Sequence, residues 1–451
     1  MRLFETLIII LDLTILALGF ANRASALWMV GIAVLSLVAL ALHAFIEGYR
    51  WQMVPAYIAS TLLVVSVLLG FIGHAHLNLA IPVAAIVLLL ASSLLAVVLP
   101  VFALPDLGGP HSIGTITERL IGPASRTLNL QFWYPTDAVN GKRSAYRTAE
   151  ARGLKAHLRR VRTHALVDAP LTQIEPQLPV VLYSPGWKGH LTQNTVQFEM
   201  LASHGFVVVA MEHPPAENLP LFFDPSSEEN LRGYTVEVKL RAEDVVFVLD
   251  NLEQLNLDPK SRFRDRLDLS RIGMLGYSFG GALTAEACWL DPRLKAGINM
   301  DGLMFGRVTK DGVRRPFFFM SDDSGGPSEI DLESPDPSKK IHARALKADI
   351  KFIDRSLAQY GGYYLRIRGA AHSNYSDRPL YSPLKRLTDA GAIDTQTCIH
   401  LINDYVLAFF EQHLNGKPQP LLSESSSKYP EAIFRSYPAS VNEPRHLATI
   451  A

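Results

Sequence analysis

Cysteine and net charge are both scarce in this 451-residue chain, and each scarcity argues against a class of protein. The two cysteines, Cys288 and Cys398, argue against a disulfide framework, and no group of residues has metal-ligand spacing. Apolar neighbours surround both thiols, so we expect them to be buried in the core. The 43 basic and 43 acidic residues cancel, which gives no indication of a nucleic-acid partner. No metal and no organic cofactor is predicted.

Charge is also missing locally, at the start of the chain. The first 105 residues contain six charged side chains, and residues 51–105 contain none. A helix needs about 20 apolar residues to cross a bilayer. Four apolar stretches approach that length, and Arg23, residues 47–52 and residues 74–78 separate them. We therefore predict an all-α transmembrane region of about four helices, at 6–21, 26–46, 54–73 and 79–104.

The first of these stretches has a rival interpretation as a cleaved signal peptide. Glu5, Asp12 and the three apolar stretches that follow argue against a signal peptide. An acid within a membrane helix is a candidate functional group. With no basic partner in the other three stretches, we expect Asp12 to lie near an interface or to face another helix.

Membrane topology follows from the positions of the cations. With four crossings, Arg2 and Arg50 share one side and Arg23 lies on the other. A basic run at 142–162 follows the last crossing, and its eight Lys and Arg residues oppose one acid, Glu150. The positive-inside rule then predicts a multi-pass protein of the cell membrane with its C-terminal domain in the cytoplasm. The basic run itself has two interpretations, contact with anionic headgroups or a solvated insertion.

Residues 276–280 read Gly-Tyr-Ser-Phe-Gly, the G-x-S-x-G pattern of a nucleophile elbow. An apolar run at 272–275 precedes the pattern, and small residues typical of a closely packed helix follow it. A turn from strand to helix exposes the serine Oγ and directs backbone N–H groups at a developing oxyanion. Ser278 is therefore the candidate nucleophile.

Strand and helix patterns alternate through the rest of the chain. This alternation is typical of a mainly parallel sheet covered by helices on both faces. The predicted strands are 128–134, 180–183, 206–211, 272–275, 296–300, 316–320 and 363–367. The predicted helices are 195–204, 236–254, 279–289, 343–360 and 395–413.

A nucleophilic serine needs a general base and an orienting acid, and in this type of fold they follow the serine in the order acid, histidine. His372 lies in a small-residue loop just after the last predicted strand, where catalytic groups of an open α/β sheet belong. His342, His400, His413 and His446 are the other histidines after Ser278. The acid stays open between Asp301, at the end of one strand, and Asp322 or Asp323, at the end of the next.

The oxyanion hole needs two backbone N–H groups. Phe279 supplies the first as the residue after the nucleophile. The loop 184–189, after the strand at 180–183, is the candidate for the second, with Trp187 as its donor; an ordinary glycine turn is the alternative.

Several blocks in constant order make residues 110–415 resemble the platelet-activating factor acetylhydrolase family. The blocks are 132–135, 182–187, 201–206 with 212–214, 276–282, 297–305 and 368–375. The resemblance implies an α/β-hydrolase fold with Asp301 as the acid and Trp187 as the second oxyanion donor. Here Pro185 stands in the family's Ser-His-Gly block, and a proline has no N–H to donate.

The combined prediction is a membrane-anchored serine ester hydrolase. We expect a transmembrane region at 1–105, a catalytic domain at 106–415 and a tail at 416–451 packed on it. The family resemblance implies phospholipid-like substrates with short or oxidised acyl chains. A general carboxylesterase for small soluble esters is one alternative, and a membrane transport or scaffold protein with a degenerate hydrolase domain is another.

Overall fold

The computed structural model describes residues 1–21, 25–72, 79–122, 126–147, 151–173, 175–216 and 219–439. The chain forms two compact units. The first consists of Met1–Ala103 with two later segments, Ala145–Arg162 and Leu380–Thr388, and the second contains the remainder. The domain boundaries at 105 and 415 stay predictions.

The described residues of the first unit form four helices that are each long and apolar enough to cross a membrane. They are α1 Leu3–Ala21, α2 Ala26–Leu42, α3 Val54–Phe71 and α4 Ala80–Val98. The expected four apolar helices are thus present. The last one ends at Val98 rather than at 104, because Pro100 disfavours a helical conformation at Leu99. Two of the three predicted polar breaks, Arg23 and residues 74–78, lie outside the described residues, and the third, residues 47–52, separates α2 from α3.

Every charged side chain that the structure describes within residues 1–98 has a polar partner. Glu5 is fully buried and accepts from Arg50 Nη2 at 2.6 Å and from Arg2 Nε at 2.8 Å. Glu47 lies 3.0 Å from His43 Nδ1 and 3.8 Å from Arg2 Nε. The two arginines that carry the topology prediction are therefore both ion-paired. Such pairing is what an apolar environment demands of buried charge.

Asp12 faces two neighbouring helices, as expected. Ser36 of α2 donates to its Oδ1 at 2.8 Å, and Ser60 of α3 donates to its Oδ2. All three side chains are fully buried. Asp12 thus acts as a hydrogen-bond acceptor that joins three helices.

Most of the basic run belongs to the first unit. It forms a 3-10 helix at Gly153–Arg160, and Arg160 Nε donates to the carbonyl of Tyr49 at 3.2 Å. Residues 148–150, which include Glu150, lie outside the described part.

An 11-stranded sheet forms the second unit, in the order β11-β10-β9-β8-β7-β5-β6-β2-β1-β4-β3. The central pairs from β6 to β10 are parallel, and β1, β2 and β11 add antiparallel pairs. The strands are β1 Ser112–Ile121, β2 Thr127–Thr136, β3 Arg143–Ala145, β4 Arg162–Val167, β5 Leu178–Ser184, β6 Val207–Glu212, β7 Leu267–Tyr277, β8 Leu294–Met300, β9 Phe317–Ser321, β10 Gly362–Ile367 and β11 Ala432–Tyr437.

Helices cover both faces of this sheet. They are α5 Thr195–Ser203, α6 Glu228–Leu257, α7 Phe279–Leu290, α8 Val308–Asp311, α9 Glu329–Leu332, α10 Pro337–Tyr360, α11 Lys385–Thr388 and α12 Thr395–His413. Along β5, Val181 and Tyr183 enter the core with α5 and α12, whereas Val180 and Leu182 enter the core with α6, α7 and α10. This period-2 alternation buries both faces of the sheet, as parallel strands require.

The predicted fold class is confirmed, and each predicted strand and helix overlaps an observed one. The sequence reading missed β1, β3, β4 and β11. The tail contributes β11, in which Phe434 pairs with Leu365 of β10.

Candidate active site

Ser278 lies between the end of β7 and the start of α7, in a backbone conformation rare for a side-chain-bearing residue. Its φ is 55° and its ψ is −123°. The turn depends on close backbone approach at both glycines of the motif. A Cβ on Gly276 would lie 1.9 Å from the carbonyl oxygen of Gly280, and a Cβ on Gly280 would lie 2.0 Å from that of Ser184. Both positions therefore exclude a side chain.

His372 begins a short 3-10 turn, His372–Tyr375, in the loop after β10. Its Nε2 lies 2.9 Å from Ser278 Oγ, and the Tyr277 ring packs against the imidazole at a centroid distance of 4.9 Å. Asp323 holds this loop, because its Oδ2 accepts from Gly369 N at 2.8 Å. The imidazole is half exposed, so a substrate can reach it.

Asp301 follows β8 directly and completes the constellation. Its Oδ2 lies 2.6 Å from His372 Nδ1, and its Oδ1 accepts from the backbone N–H of Asp322 at 2.9 Å. A carboxylate only accepts hydrogen bonds, so His372 Nδ1 carries the proton and Nε2 accepts from the serine hydroxyl. Asp322 thus contributes its backbone N–H to this site. Burial and the nearby charge of Asp301 raise the pKa of the Asp322 carboxyl.

Asn299, which the sequence reading missed, shapes the turn that carries the acid. Its Oδ1 accepts from Gly302 N at 2.7 Å and its Nδ2 donates to Gly302 O at 2.8 Å. These bonds close the turn around Asp301, whose φ is 59°. The sequence offered one local signal for this role, namely an asparagine inside an apolar strand, two residues before the acid that follows the strand.

The loop after β5 lies directly beside the nucleophile. A Cβ on Gly186 would lie 3.1 Å from Ser278 Cβ. Gly189 N donates to Gly186 O at 2.8 Å, which closes a turn with Trp187 at its tip. Within the described residues, the N–H of Trp187 has no hydrogen-bond partner. The Trp187 and Phe279 rings pack edge to face, 5.1 Å apart.

The other described histidines that follow Ser278 in sequence do not lie beside the serine. His413 Nε2 lies 3.0 Å from the hydroxyl of Tyr363, and burial lowers the pKa of its imidazole to about 4. His342 and His400 are exposed on α10 and α12. His446 lies outside the described residues.

One group of described side chains has the spacing of a metal site, namely Glu5, His43 and Glu47 in the first unit. The carboxylates of this group already pair with Arg2 and Arg50. The absence of a metal requirement stays a prediction.

Comparison with known proteins gives this geometry a context. The family model described as platelet-activating factor acetylhydrolase, isoform II, matches residues 240–419, a range that contains Ser278, Asp301 and His372. The platelet-activating factor acetylhydrolase of Cavia porcellus is 24% identical over 360 residues, covering 69% of this chain and 78% of the relative. A probable 1-alkyl-2-acetylglycerophosphocholine esterase of Arthroderma benhamiae is 25% identical and matches 57% of this chain. The match spans 66% of that relative's length.

The chain resembles the platelet-activating factor acetylhydrolases. A solved structure, the ferulic acid esterase from Streptomyces cinnamoneus, matches with a TM-score of 0.59 and 25% identity, covering 74% of this chain and 99% of the esterase. The resemblance expected from the sequence is confirmed, and so is the expected α/β-hydrolase fold. These relatives also support the expected class of enzyme, a carboxylic ester hydrolase.

Asp349 of α10 is a further acid next to this site. Its Oδ1 accepts from the backbone N–H of Met304 at 2.8 Å, in the segment that follows Asp301. Burial and the charge of Asp301 raise the pKa of Asp349 to about 7. The folded protein therefore binds this proton more tightly than the unfolded chain does.

Replacing Asp349 with asparagine should stabilise the protein at neutral and alkaline pH. The contribution of the protonated acid is complete below its ordinary pKa of about 3.9 and is lost as the pH rises through about 7. Asparagine keeps an acceptor for Met304 N–H and carries no charge. The midpoint of thermal unfolding of Asp349→Asn should equal that of the parent near pH 4. The variant's advantage should grow as the pH rises to about 7 and stay constant above that pH. Asp354→Asn, exposed on the same helix, is the control; an Asp349→Asn offset that does not change with pH would contradict the prediction.

Proposed function

We propose that this protein is a membrane-anchored serine ester hydrolase that uses Ser278, His372 and Asp301 as its catalytic triad. The observation that carries the proposal is the continuous hydrogen-bonded line from Ser278 Oγ through both imidazole nitrogens to the Asp301 carboxylate. Ser278 is partly exposed at the elbow, so a substrate carbonyl can approach its Oγ.

The proposed reaction proceeds through an acyl-enzyme. Ser278 Oγ attacks the ester carbonyl carbon while its proton passes to His372 Nε2, and Asp301 stabilises the resulting imidazolium. His372 then protonates the leaving alcohol oxygen as the carbon–oxygen bond breaks. A water molecule then attacks the acyl carbon and gives its proton to His372 Nε2. The bond from the acyl carbon to Ser278 Oγ breaks, His372 returns the proton to Oγ, and the acid product leaves.

The backbone N–H groups of Trp187 and Phe279 form the proposed oxyanion hole. The support is the free N–H of Trp187 on a turn that touches Ser278, together with the position of Phe279 at the first residue of α7. Such donors favour the transition state over the bound ester, because negative charge develops on the carbonyl oxygen as the tetrahedral intermediate forms.

A lipid-like ester is the proposed substrate class. The names of the relatives favour a glycerophospholipid with a short acyl chain. A local observation agrees: Leu221 and Phe222 are 67% and 79% exposed in the loop whose Pro220 carbonyl accepts from Trp187 Nε1 at 3.1 Å. Exposed apolar side chains beside an active site are suited to contact with a lipid.

A general carboxylesterase is the second candidate function. It is favoured by the likeness to the ferulic acid esterase and by a 31% identity over 120 residues with cutinase est1 of Thermobifida alba. The third possibility, a scaffold with a degenerate hydrolase domain, is disfavoured because the serine, the histidine and the acid are all present and connected.

The four apolar helices are the proposed membrane anchor, with the hydrolase domain on the cytoplasmic side. Two features of the helices support insertion. Glu5 and Glu47 form ion pairs with arginines, and Asp12 accepts hydrogen bonds from two serines, so each acid has a polar partner. The side of the membrane rests on the cation distribution alone.

Ser278→Ala should abolish ester hydrolysis. Removing a triad nucleophile typically lowers kcat by about 10⁴-fold or more, because no other group can form the acyl-enzyme. Hydrolysis of p-nitrophenyl acetate by the purified full-length variant measures the effect. Ser356→Ala, which removes a buried hydroxyl on α10, should keep parental activity. Undiminished turnover by Ser278→Ala would exclude the proposed mechanism.

Substrate preference separates the two candidate functions. We expect kcat/KM for a 1-alkyl-2-acetyl glycerophosphocholine to exceed that for the same lipid with a long sn-2 chain by about tenfold or more, equivalent to about 1.4 kcal/mol or more. The same preparation is assayed with p-nitrophenyl and feruloyl esters. If the small aromatic esters are turned over and neither phospholipid is, the general carboxylesterase is the correct function.

Cysteine labelling tests the membrane side, because both native cysteines are buried. Ser25→Cys lies in the predicted loop between the first two crossings, and Lys339→Cys is exposed on α10. A membrane-impermeant maleimide should label Ser25→Cys on intact cells and should label Lys339→Cys only after permeabilisation. The reverse pattern would place the hydrolase domain outside.

A further inference from the structure

A second Ser–His–Asp constellation is buried in the hydrolase unit. Ser184 Oγ lies 3.2 Å from His213 Nε2, and His213 Nδ1 lies 2.9 Å from Asp244 Oδ2. Arg126 completes the line with two bonds to the Asp244 carboxylate, at 2.8 and 2.7 Å. The connectivity of atoms is the same as in the Ser278 set, although the four residues come from β5, the end of β6, α6 and the start of β2.

Burial excludes this second set from catalysis. Ser184 is 0% exposed and the side chain of His213 is 1% exposed, whereas the His372 side chain is 51% exposed. An ester carbonyl has no access to Ser184 Oγ. The set must therefore have a role other than that of a nucleophile.

We call the line Arg126–Asp244–His213–Ser184 the relay, and the protonation states of its members follow from their partners. Burial opposes ionisation of Asp244, but the bonds from Arg126 and His213 outweigh it and hold the pKa of the carboxyl below its ordinary value. Burial lowers the pKa of His213, so the imidazole is neutral. Its Nδ1–H donates to Asp244, which leaves Nε2 to accept from the Ser184 hydroxyl. Each bond in the line thus has a defined direction.

Ser184 occupies the position where the oxyanion loop leaves the sheet. It pairs with Gly276 of β7, and its carbonyl oxygen lies so close to Gly280 that a Cβ on that glycine would be only 2.0 Å away. Pro185 and Gly186 follow, and Trp187 comes next at the tip of the turn. A change in the side-chain anchor at Ser184 is therefore transmitted to the Trp187 N–H over three residues.

Helix α6 also contacts the side chains of the two proposed oxyanion residues, through Arg241. Its guanidinium carbon lies 5.4 Å from the centroid of the Trp187 ring and 5.2 Å from that of Phe279. Arg241 is 3% exposed and pairs with Glu237 at 2.7 Å. One face of α6 thus supports the side chains of both oxyanion residues, and a neighbouring residue on it, Asp244, anchors the loop.

We propose that the Arg126–Asp244–His213–Ser184 relay positions the oxyanion hole, with Ser184 as the positioning residue for the Trp187 N–H. The inference rests on the proposed serine-hydrolase function and extends it to residues that never touch substrate. A misplaced donor weakens binding of the transition state and leaves binding of the ground-state ester unchanged.

The test compares Ser184→Ala with Ser203→Ala in the purified full-length protein. Ser203 is also a fully buried serine of this unit, and its Oγ donates to Met200 O at 2.7 Å. For Ser184→Ala we expect kcat on p-nitrophenyl acetate to fall by about tenfold to a hundredfold with KM within about twofold of the parent. The affinity for a trifluoromethyl ketone, whose adduct places an oxyanion in the hole, should fall by the same factor. Ser203→Ala should keep parental values for all three quantities.

Further readouts separate positioning from misfolding and from failure of the proposed function. End-point labelling by a fluorophosphonate counts folded sites, and it should reach the parental stoichiometry in Ser184→Ala at a lower rate. The acidic limb of the kcat profile should keep its midpoint, because His372 and Asp301 are untouched. Parental kcat and ketone affinity in Ser184→Ala would overturn the relay proposal alone, whereas a parent that the fluorophosphonate does not label at Ser278 would overturn the proposed function. Equal losses in Ser184→Ala and Ser203→Ala would also overturn the relay proposal.

Discussion

The left-handed backbone of Ser278 constrains the groups that surround it. A non-glycine residue in such a conformation costs on the order of 1–3 kcal/mol and persists only where the surroundings hold it. Here segments on both sides hold it. On the β8 side, Ser278 N donates to Met300 O at 2.9 Å, and a Cβ on Gly302 would lie 2.1 Å from Ser278 O. On the β5 side, the Ser184 carbonyl lies against Gly280. The segments carrying the acid and the oxyanion loop are therefore both placed relative to the same turn.

The elbow and the strands around it were predictable because their signals are local. A glycine-flanked serine after an apolar run predicts a strand, a turn and a helix within a few residues of sequence. The acid was not predictable in this way, since Asp301, Asp322 and Asp323 all follow ends of adjacent parallel strands. In the structure the three residues make different contacts. The Asp301 carboxylate bonds to His372, the backbone N–H of Asp322 donates to Asp301, and the Asp323 carboxylate accepts from the loop that carries His372. Spacing along the chain does not distinguish them; the family resemblance implied Asp301, and the three-dimensional register of β8, β9 and β10 shows which carboxylate reaches His372.

The strands that the sequence reading missed lie at the two ends of the sheet. Within β1, exposed polar residues such as Thr117 and Arg119 interrupt the apolar pattern, and β11 follows a long loop. The relay was missed for a different reason. The order of residues in a catalytic triad directs attention to histidines after Ser278, and His213 precedes it. The partners of His213 are 29 and 31 residues away in sequence, so no short motif records them.

The two Ser–His–Asp sets differ in solvent exposure, and we infer that this difference decides whether a set can react with a substrate or can only support the structure. The same three side chains, with the same donor directions, can carry out proton transfer where a substrate has access and can fix a loop where it has none. The first unit follows a related rule, because its buried acids have arginine or serine partners. In both units, these buried acids are paired with side chains from other elements, as the cost of burying an unpaired charge requires.

The most direct measurement of the central claim is an experimental structure of the full-length protein inactivated with an alkyl fluorophosphonate. The account predicts a single covalent bond from phosphorus to Ser278 Oγ. It also predicts that the phosphonyl oxygen lies within about 3.1 Å of both the Trp187 and Phe279 backbone nitrogens, with His372 Nε2 close to the remaining phosphonate oxygen. Attachment to any other residue would contradict the account, and so would a phosphonyl oxygen directed away from the Trp187 turn.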